Sequence, residues 1–435
     1  MKYFAIYLLS LLLFLLTFQN ANAALNNSDL EYFGADHTEA EFSIVGQLRI
    51  EVPGEPTKNQ LDVVIRAQMR YMLGLMRSRE KTAAAIYPKW SFTTLETTKT
   101  SEGKWTAKYL LKSKGVFANG VTQYTFTIPH RPLEIFKKSE GKCMEKESED
   151  SNFWYHWEPL KEGCPLQEGL DYFNYTATLT PLANTTETYP EYEKLVDNNK
   201  TINATMFFGF ENYDFPRWNP EGGQDWGIIG YNKQRDFLKS IGFTETVWTV
   251  EQVEKIYKAK DGFVPYVIEM TLNGENANLR YRLVLADTGY SHNSTAFHAF
   301  LKESLLNDSL VIYNGHSGIG QNLDLASIEK LRGVKLNFNP NYQIIFLGSC
   351  VPYSYYTEMF FNKKKTASDP KGSLKLDILS YGKESIFANE EDHALTRAIV
   401  KWAQRGKKDS YQDIIRASPN YFFGINGDED NPTSK

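Results

Sequence analysis

Only three cysteines occur in 435 residues. No zinc motif, phosphate loop or dinucleotide fingerprint is present, which excludes the metal and nucleotide classes those motifs define. His37, His130, His156, His292, His298 and His393 show no metal-ligand spacing. The nearest approach is His292 and His298, which read as surface or helix-start residues. The formal net charge is a mild -5 and the basic residues are scattered, so no nucleic-acid or anionic-membrane footprint is expected. Beyond residue 18 no stretch is long and apolar enough to span a bilayer. Neither a cofactor nor a metal is expected.

The first residues read as a secretory signal peptide. Lys2 supplies the positive charge, Phe4 to Phe18 is almost wholly apolar, and Ala21-Asn22-Ala23 fits the small-x-small cleavage rule. Cleavage after Ala23 would give a secreted or periplasmic protein with no membrane partner. Cys143 and Cys164 share a polar, charged segment, Gly141 to Gly163 and just beyond. A disulfide between them would close a loop of about 20 residues and add about 3 kcal/mol by chain entropy. Cys350 is then left over. In an oxidising compartment such a thiol is either sealed in the core or kept for reactivity.

The expected fold class is α/β: a largely parallel sheet with helices on both faces, preceded by a smaller strand-rich α+β domain. The boundaries read as 1–23 signal peptide, 24–190 N-terminal domain, 191–205 polar linker, 206–425 α/β domain and 426–435 disordered tail. In the first domain, Glu41 to Val52, Trp90 to Phe92, Lys104 to Leu111, Val121 to Ile128 and Asp171 to Leu182 read as strands. Leu61 to Met76 repeats apolar residues at helical spacing, and its methionines read as a packed face rather than a ligand surface. In the second domain, strands near 204–210, 279–286, 310–314, 342–347 and 376–379 alternate with helices, which implies parallel pairing.

Two of these strands run into reactive side chains. Leu310-Val311-Ile312-Tyr313-Asn314 leads into Gly315-His316-Ser317-Gly318, and Tyr342-Gln343-Ile344-Ile345-Phe346-Leu347 leads into Gly348-Ser349-Cys350. Their separation is about one strand-helix-strand unit. In parallel sheets the functional crevice lies at the carboxyl ends of the strands, where an imidazole and a thiol can face one substrate. Gly315, Gly318 and Gly348 allow close backbone approach, and backbone N–H groups there can hold an oxyanion. Pro352 and Ser354 can begin a helix that brings positive dipole near the sulfur.

Asn-Gly-His316-Ser-Gly and Leu-Gly-Ser349-Cys350 resemble the two signature blocks of the caspase-like (clan CD) cysteine peptidases, nearest the gingipain-type branch. The resemblance covers about residues 201 to 420, and some twenty of them carry its specific part. It implies a caspase-like fold and a polypeptide substrate. It also implies Cys350 as nucleophile, His316 as the acid/base that protonates the leaving amine, and Gly318 and Cys350 N–H groups as the oxyanion hole. The family places glycine immediately after the histidine, whereas Ser317 intervenes here. Asp287, which ends a neighbouring strand, is a candidate substrate contact or else a turn residue, and Ser317 is a second candidate contact.

Blander and rival readings stand beside this one. His316 alone reads as a turn histidine and Cys350 alone as a small buried hydrophobe. A caspase-like domain without activity would be a binding module. Gly315-His316-Ser317-Gly318 also resembles the start of a nucleophile elbow, with Asp369 or Asp377 and then His393 completing a serine triad. Ile319 stands where that elbow needs glycine. Tyr353, Tyr355, Tyr356, Phe360 and Phe361 read as core packing or as part of a pocket wall.

Overall fold

The computed structural model describes residues 32–79, 82–144, 152–182, 184–209, 225–258, 265–290, 294–385, 392–418 and 422–434. The signal peptide and His292 lie outside them. The chain divides into two units, one holding residues 37–183 and the other residues 30–36 and 184–435. The first described strand, β1 (Tyr32–Gly34), therefore belongs to the second unit.

The first unit is antiparallel. β2 (His37–Ile50) pairs along its length with β5 (Trp105–Ala118), whose other edge takes β3 (Ala83–Ile86) and β4 (Ser91–Lys99). β6 (Gln123–Pro129) pairs with β7 (Tyr172–Leu182), which joins β2. The helix Lys58–Ser78 starts at a capping box between Thr57 and Gln60. Met69, Met72 and Met76 are buried on it, so they are core, as the periodicity implied. Gln68 on this helix donates to the Gln47 carbonyl at 2.9 Å and the Pro129 carbonyl at 2.8 Å, and accepts from the Tyr109 hydroxyl at 2.6 Å. Gly46 is required beneath that tyrosine, because a Cβ there would lie 2.1 Å from the ring. Cys143 and Cys164 form a disulfide.

The second unit is built on parallel strands. β8 (Thr201–Gly209) is flanked by β11 (Asn278–Ala286) and β12 (Leu310–Asn314), and β12 is followed outward by β13 (Gln343–Gly348) and β14 (Leu376–Tyr381), all parallel. Antiparallel strands finish both sides. β10 (Tyr266–Leu272) and β9 (Thr244–Val247) lie beyond β11, and β15 (Phe423–Asn426) and β1 lie beyond β14. Every residue of β12, β13 and β14 is buried, as expected of strands covered on both faces. Ile202, Ala204, Met206 and Phe208 pack with helices Trp226–Ser240, His393–Arg405 and Tyr411–Arg416. Phe207, Val311, Tyr313, Ile345 and Leu347 pack with helices Thr295–Asn307, Leu325–Arg332 and Thr357–Lys364. The two side-chain sets alternate along each strand, which is why a two-residue period produces two helical layers.

Three boundaries differ from the sequence reading. Residues 191–205 are not a linker: Tyr192 and Leu195 are fully buried and β8 begins at Thr201. The unit boundary falls after residue 183 rather than 190. The expected disordered tail 426–435 is not frayed over its described residues, 426–434, because Asn426 ends β15 and Asp428 and Asn431 are buried. Asn431 donates to Asp377 at 2.7 Å, and the Tyr189 N–H donates to the Pro432 carbonyl at 2.9 Å.

Candidate active site

The ladder between β12 and β13 ends with Asn314 opposite Gly348, and the Gly315 N–H donates to the Gly348 carbonyl at 3.2 Å. His316 and Cys350 each follow two residues after that last pair. They therefore leave the same rim of the sheet from strands about 4.8 Å apart. Both side chains are half-buried, and Cys350 is outside the disulfide. β8, the next strand across, is where the strand order reverses between β11 and β12, the position at which parallel sheets open a crevice.

The histidine turn is held from beneath. The His316 carbonyl accepts from the Tyr313 hydroxyl at 2.6 Å and the Asn322 amide at 2.8 Å. The Ser317 carbonyl accepts from the Tyr356 hydroxyl at 2.7 Å and the Asn322 N–H at 3.1 Å. A trans peptide sets its N–H opposite its C=O, so pinning the Ser317 carbonyl to the buried Tyr356 turns the Gly318 N–H the other way. Gly318 is exposed. It also has φ +54°, and a Cβ there would lie 2.3 Å from Asn322 Oδ1, so both backbone and space require glycine.

Strain gathers at this rim. Ile319 (φ +56°) and Val351 (φ +52°) are β-branched residues in the left-handed region, a conformation costing about 1–3 kcal/mol that persists where surroundings enforce it. Val351 directly follows Cys350, and its N–H donates to the Lys383 carbonyl at 2.9 Å. The Cys350 sulfur lies 4.0 Å from the Ser385 carbonyl. The segment after β14 thus fixes the cysteine turn. The helix after Cys350 begins at Pro352 and is only four residues long. Gly348 is needed at the strand end because a Cβ would lie 2.3 Å from Asn314 Oδ1.

Other candidates are placed elsewhere. Asp287 is buried and accepts from the Gly289 N–H at 2.9 Å and the Ser294 hydroxyl at 3.1 Å, so it serves its own loop. β8 separates its strand from the histidine strand. Ser317 is buried, with 5% of its surface exposed. Asp369 caps a turn ahead of β14, accepting from the Gly372 and Leu374 N–H groups, and Asp377 is the second residue of β14. Both carboxylates stand at the amino ends of the strands, opposite the rim that carries Ser317, which disfavours a serine triad. His393 stacks on Phe237 at 3.7 Å, and burial brings its pKa down to about 4.

His298 is a buried residue rather than a surface one. It accepts from Arg332 at 2.8 Å, and burial holds its pKa down at about 3. Among the described residues no group of three or more His, Cys, Asp or Glu is placed to hold a metal ion. Tyr353, Tyr356, Phe360 and Phe361 are buried core.

The sequence reading missed Thr288, Tyr313 and Asn322 as supports of the site. Thr288 Oγ1 fills the space that side chains at Gly209 and Gly315 would need, 2.1 and 2.8 Å from their Cβ positions. It thereby fits together the ends of β11, β8 and β12. Thr288 comes from another segment and so leaves no local signal, whereas Tyr313 and Asn322 bond carbonyls three to six positions away within the histidine turn.

No family model and no curated protein matches the chain. One solved structure does, the crystal structure of the G domain of the T. maritima FeoB iron transporter, at 12% identity. The match covers 47% of this chain and 99% of that one, with a TM-score of 0.21. An overlap of that quality carries no argument about fold or function. Among the described residues no helix is long and apolar enough to cross a membrane.

Proposed function

We propose that the protein is an exported cysteine peptidase of caspase-like, gingipain-type character, acting on polypeptides through Cys350 and His316. One observation carries this reading: the in-register pairing of Asn314 with Gly348, which delivers the two turns side by side at one rim. The strained Val351 and the outward N–H of Gly318 add to it.

In this reading the Cys350 thiolate attacks the scissile carbonyl carbon, forming a C–S bond while the carbonyl oxygen takes up negative charge. N–H groups of Gly318 and Cys350 stabilise that oxyanion. Collapse breaks the C–N bond as the His316 imidazolium gives its proton to the leaving amine. Water then cleaves the thioester, returning the thiol and releasing the carboxylate. Ser317 is accommodated because glycine is retained at 318, where the pinned carbonyl before it orients the N–H.

The test is active-site labelling of the chain beginning at Ala24. Iodoacetamide or a peptidyl epoxide should modify Cys350, located by mass spectrometry, and hydrolysis of a peptide library should disappear in Cys350→Ala. Persistent hydrolysis in that variant, or fluorophosphonate labelling of Ser317, would overturn the proposal. Unchanged partner binding with no hydrolysis in either form would instead identify a binding module.

A further inference from the structure

The first unit carries a groove of its own, where the end of β2 meets the loop after β6 and the short helix Ile135–Ser139. Two cavities, of about 420 Å³ and about 260 Å³, adjoin there and share Arg49, Arg131 and Glu134. Leu170 lines the first and Leu133 the second; they are 50% and 53% exposed. Four cations (Arg49, Arg131, Lys137 and Lys138) and two carboxylates (Glu134 and Asp171) line the first cavity, an excess of positive charge on a chain of net charge -5.

Lys138 is taken by Asp171, and Glu51 and Glu134 also line the groove, but among the described residues Arg49, Arg131 and Lys137 hold no close carboxylate. Arg49 is fixed by the carbonyls of Leu170 at 3.2 Å and Gly169 at 3.4 Å, which are neutral acceptors. Arg131 stands 3.7 Å from Glu51 and 3.8 Å from Glu134, beyond hydrogen-bond reach, and Glu51 has a nearer cation in Lys104 at 2.6 Å. Lys137 lines the first cavity and is exposed. Exposed pairs as loose as those of Arg131 contribute little and exchange readily.

We propose that this groove docks an acidic polypeptide segment that also bears apolar residues. Guanidinium groups take carboxylates in fork geometry, and Leu133 and Leu170 supply adjoining apolar contacts. Two cavities in tandem fit alternate side chains, i and i+2, of one extended chain. The recessed shape suits a peptide better than the flat surface of a bilayer. That the docked chain is then hydrolysed rests on the peptidase reading; the docking itself does not.

The test is fluorescence anisotropy with the full chain carrying Cys350→Ala, so that binding is read without cleavage. The probes are three labelled peptides of one pattern, in which leucines alternate with Asp/Glu, with Asn/Gln, or with Lys. The acidic peptide should bind best, and raising salt from about 50 to about 300 mM should weaken it. Arg131→Gln with Lys137→Gln should lower its affinity about tenfold, and Leu133→Ser several-fold. All three side chains are exposed or half-exposed, so the variants should keep the parent's thermal midpoint. Equal binding of the acidic and neutral peptides, or unchanged affinity in the double variant, would overturn the proposal. So would binding to phosphatidylglycerol vesicles without binding to the peptides. Absence of hydrolysis by the wild-type chain, with peptide binding intact, would sink the peptidase reading alone.

Discussion

The two ends of the parallel sheet in the second unit are made differently. At the amino ends, polar side chains from distant segments satisfy one another. Arg282 donates to Thr205 at 2.9 Å and Asp308 at 3.1 Å, and pairs with Glu303. Tyr411 at 2.5 Å, Asn431 at 2.7 Å and Tyr342 all donate to Asp377. A cavity of about 470 Å³ opens beside Arg282, yet a ligand there would have to break ion pairs already made. At the carboxyl ends, backbone carbonyls are pinned inward, glycines fill crowded turns, and two β-branched residues sit at positive φ. This recess lies at the matched end, and the strained end carries the imidazole and the thiol.

The largest expected effect separates the ends by function. Cys350→Ala should reduce turnover by about a thousandfold or more while changing unfolding free energy by less than about 1 kcal/mol. Peptide hydrolysis and urea denaturation read the two quantities. A large stability loss without an activity loss would reverse the comparison.

Next comes the pH response of the amino end. Burial lifts the pKa of Asp308 from 3.8 to about 6 despite Arg282, with Glu303 adding to the rise and Thr205 and Ser304 opposing it. The folded value lies above the unfolded one, so this contribution to stability is complete below about 3.8 and is lost as pH climbs through about 6. That gap corresponds to about 3 kcal/mol. Denaturation of the wild type and Asp308→Asn from about pH 4 to pH 8 should show the difference moving by that order in favour of the variant. A constant difference would mean that the carboxylate is charged throughout.

Gly318→Ala tests the strained end. With φ +54° and Asn322 Oδ1 2.3 Å from the new methyl, it should cost about 1–3 kcal/mol and slow labelling of Cys350. Unaltered thermal unfolding would show that the turn is looser than its contacts imply. The smallest effect is expected from Tyr411→Phe, about 1 kcal/mol for one of three donors to Asp377, with labelling unaffected.

Much of this was legible in the residues. Apolar runs ending in glycine gave β12 and β13 their limits, and apolar residues at helical spacing from Leu61 to Met76 identified the long helix. β3 was not, because Ala83-Ala84-Ala85 has little strand propensity and is held extended by burial against β5. β10 carries a readable alternation, Ile268 to Leu272, that lies outside the strands expected from the sequence. Residues 191–205 and 426–435 misled for one reason. Polar composition normally means solvent, whereas here Thr205 bonds Asp308 at 2.6 Å and Asn431 bonds Asp377. Partners more than 50 or 100 positions away leave no trace in local pattern. The candidate site was legible as two residues, and its supports were not.

β1 has a further consequence. It pairs with β15 through Tyr32↔Asn426 and Gly34↔Gly424, and the whole first unit is inserted between it and the rest of the second. A single proteolytic cut near residue 183 would not free an intact second unit, because its outermost strand would remain covalently attached to the released piece. Maturation by clean excision takes two cuts, one between β1 and β2 and one near 183. A recombinant fragment starting at residue 184 would expose the bare edge of β15. During synthesis, β1 precedes its partner β15 by almost the whole of the described residues, so late docking of that pair becomes a natural slow step in folding.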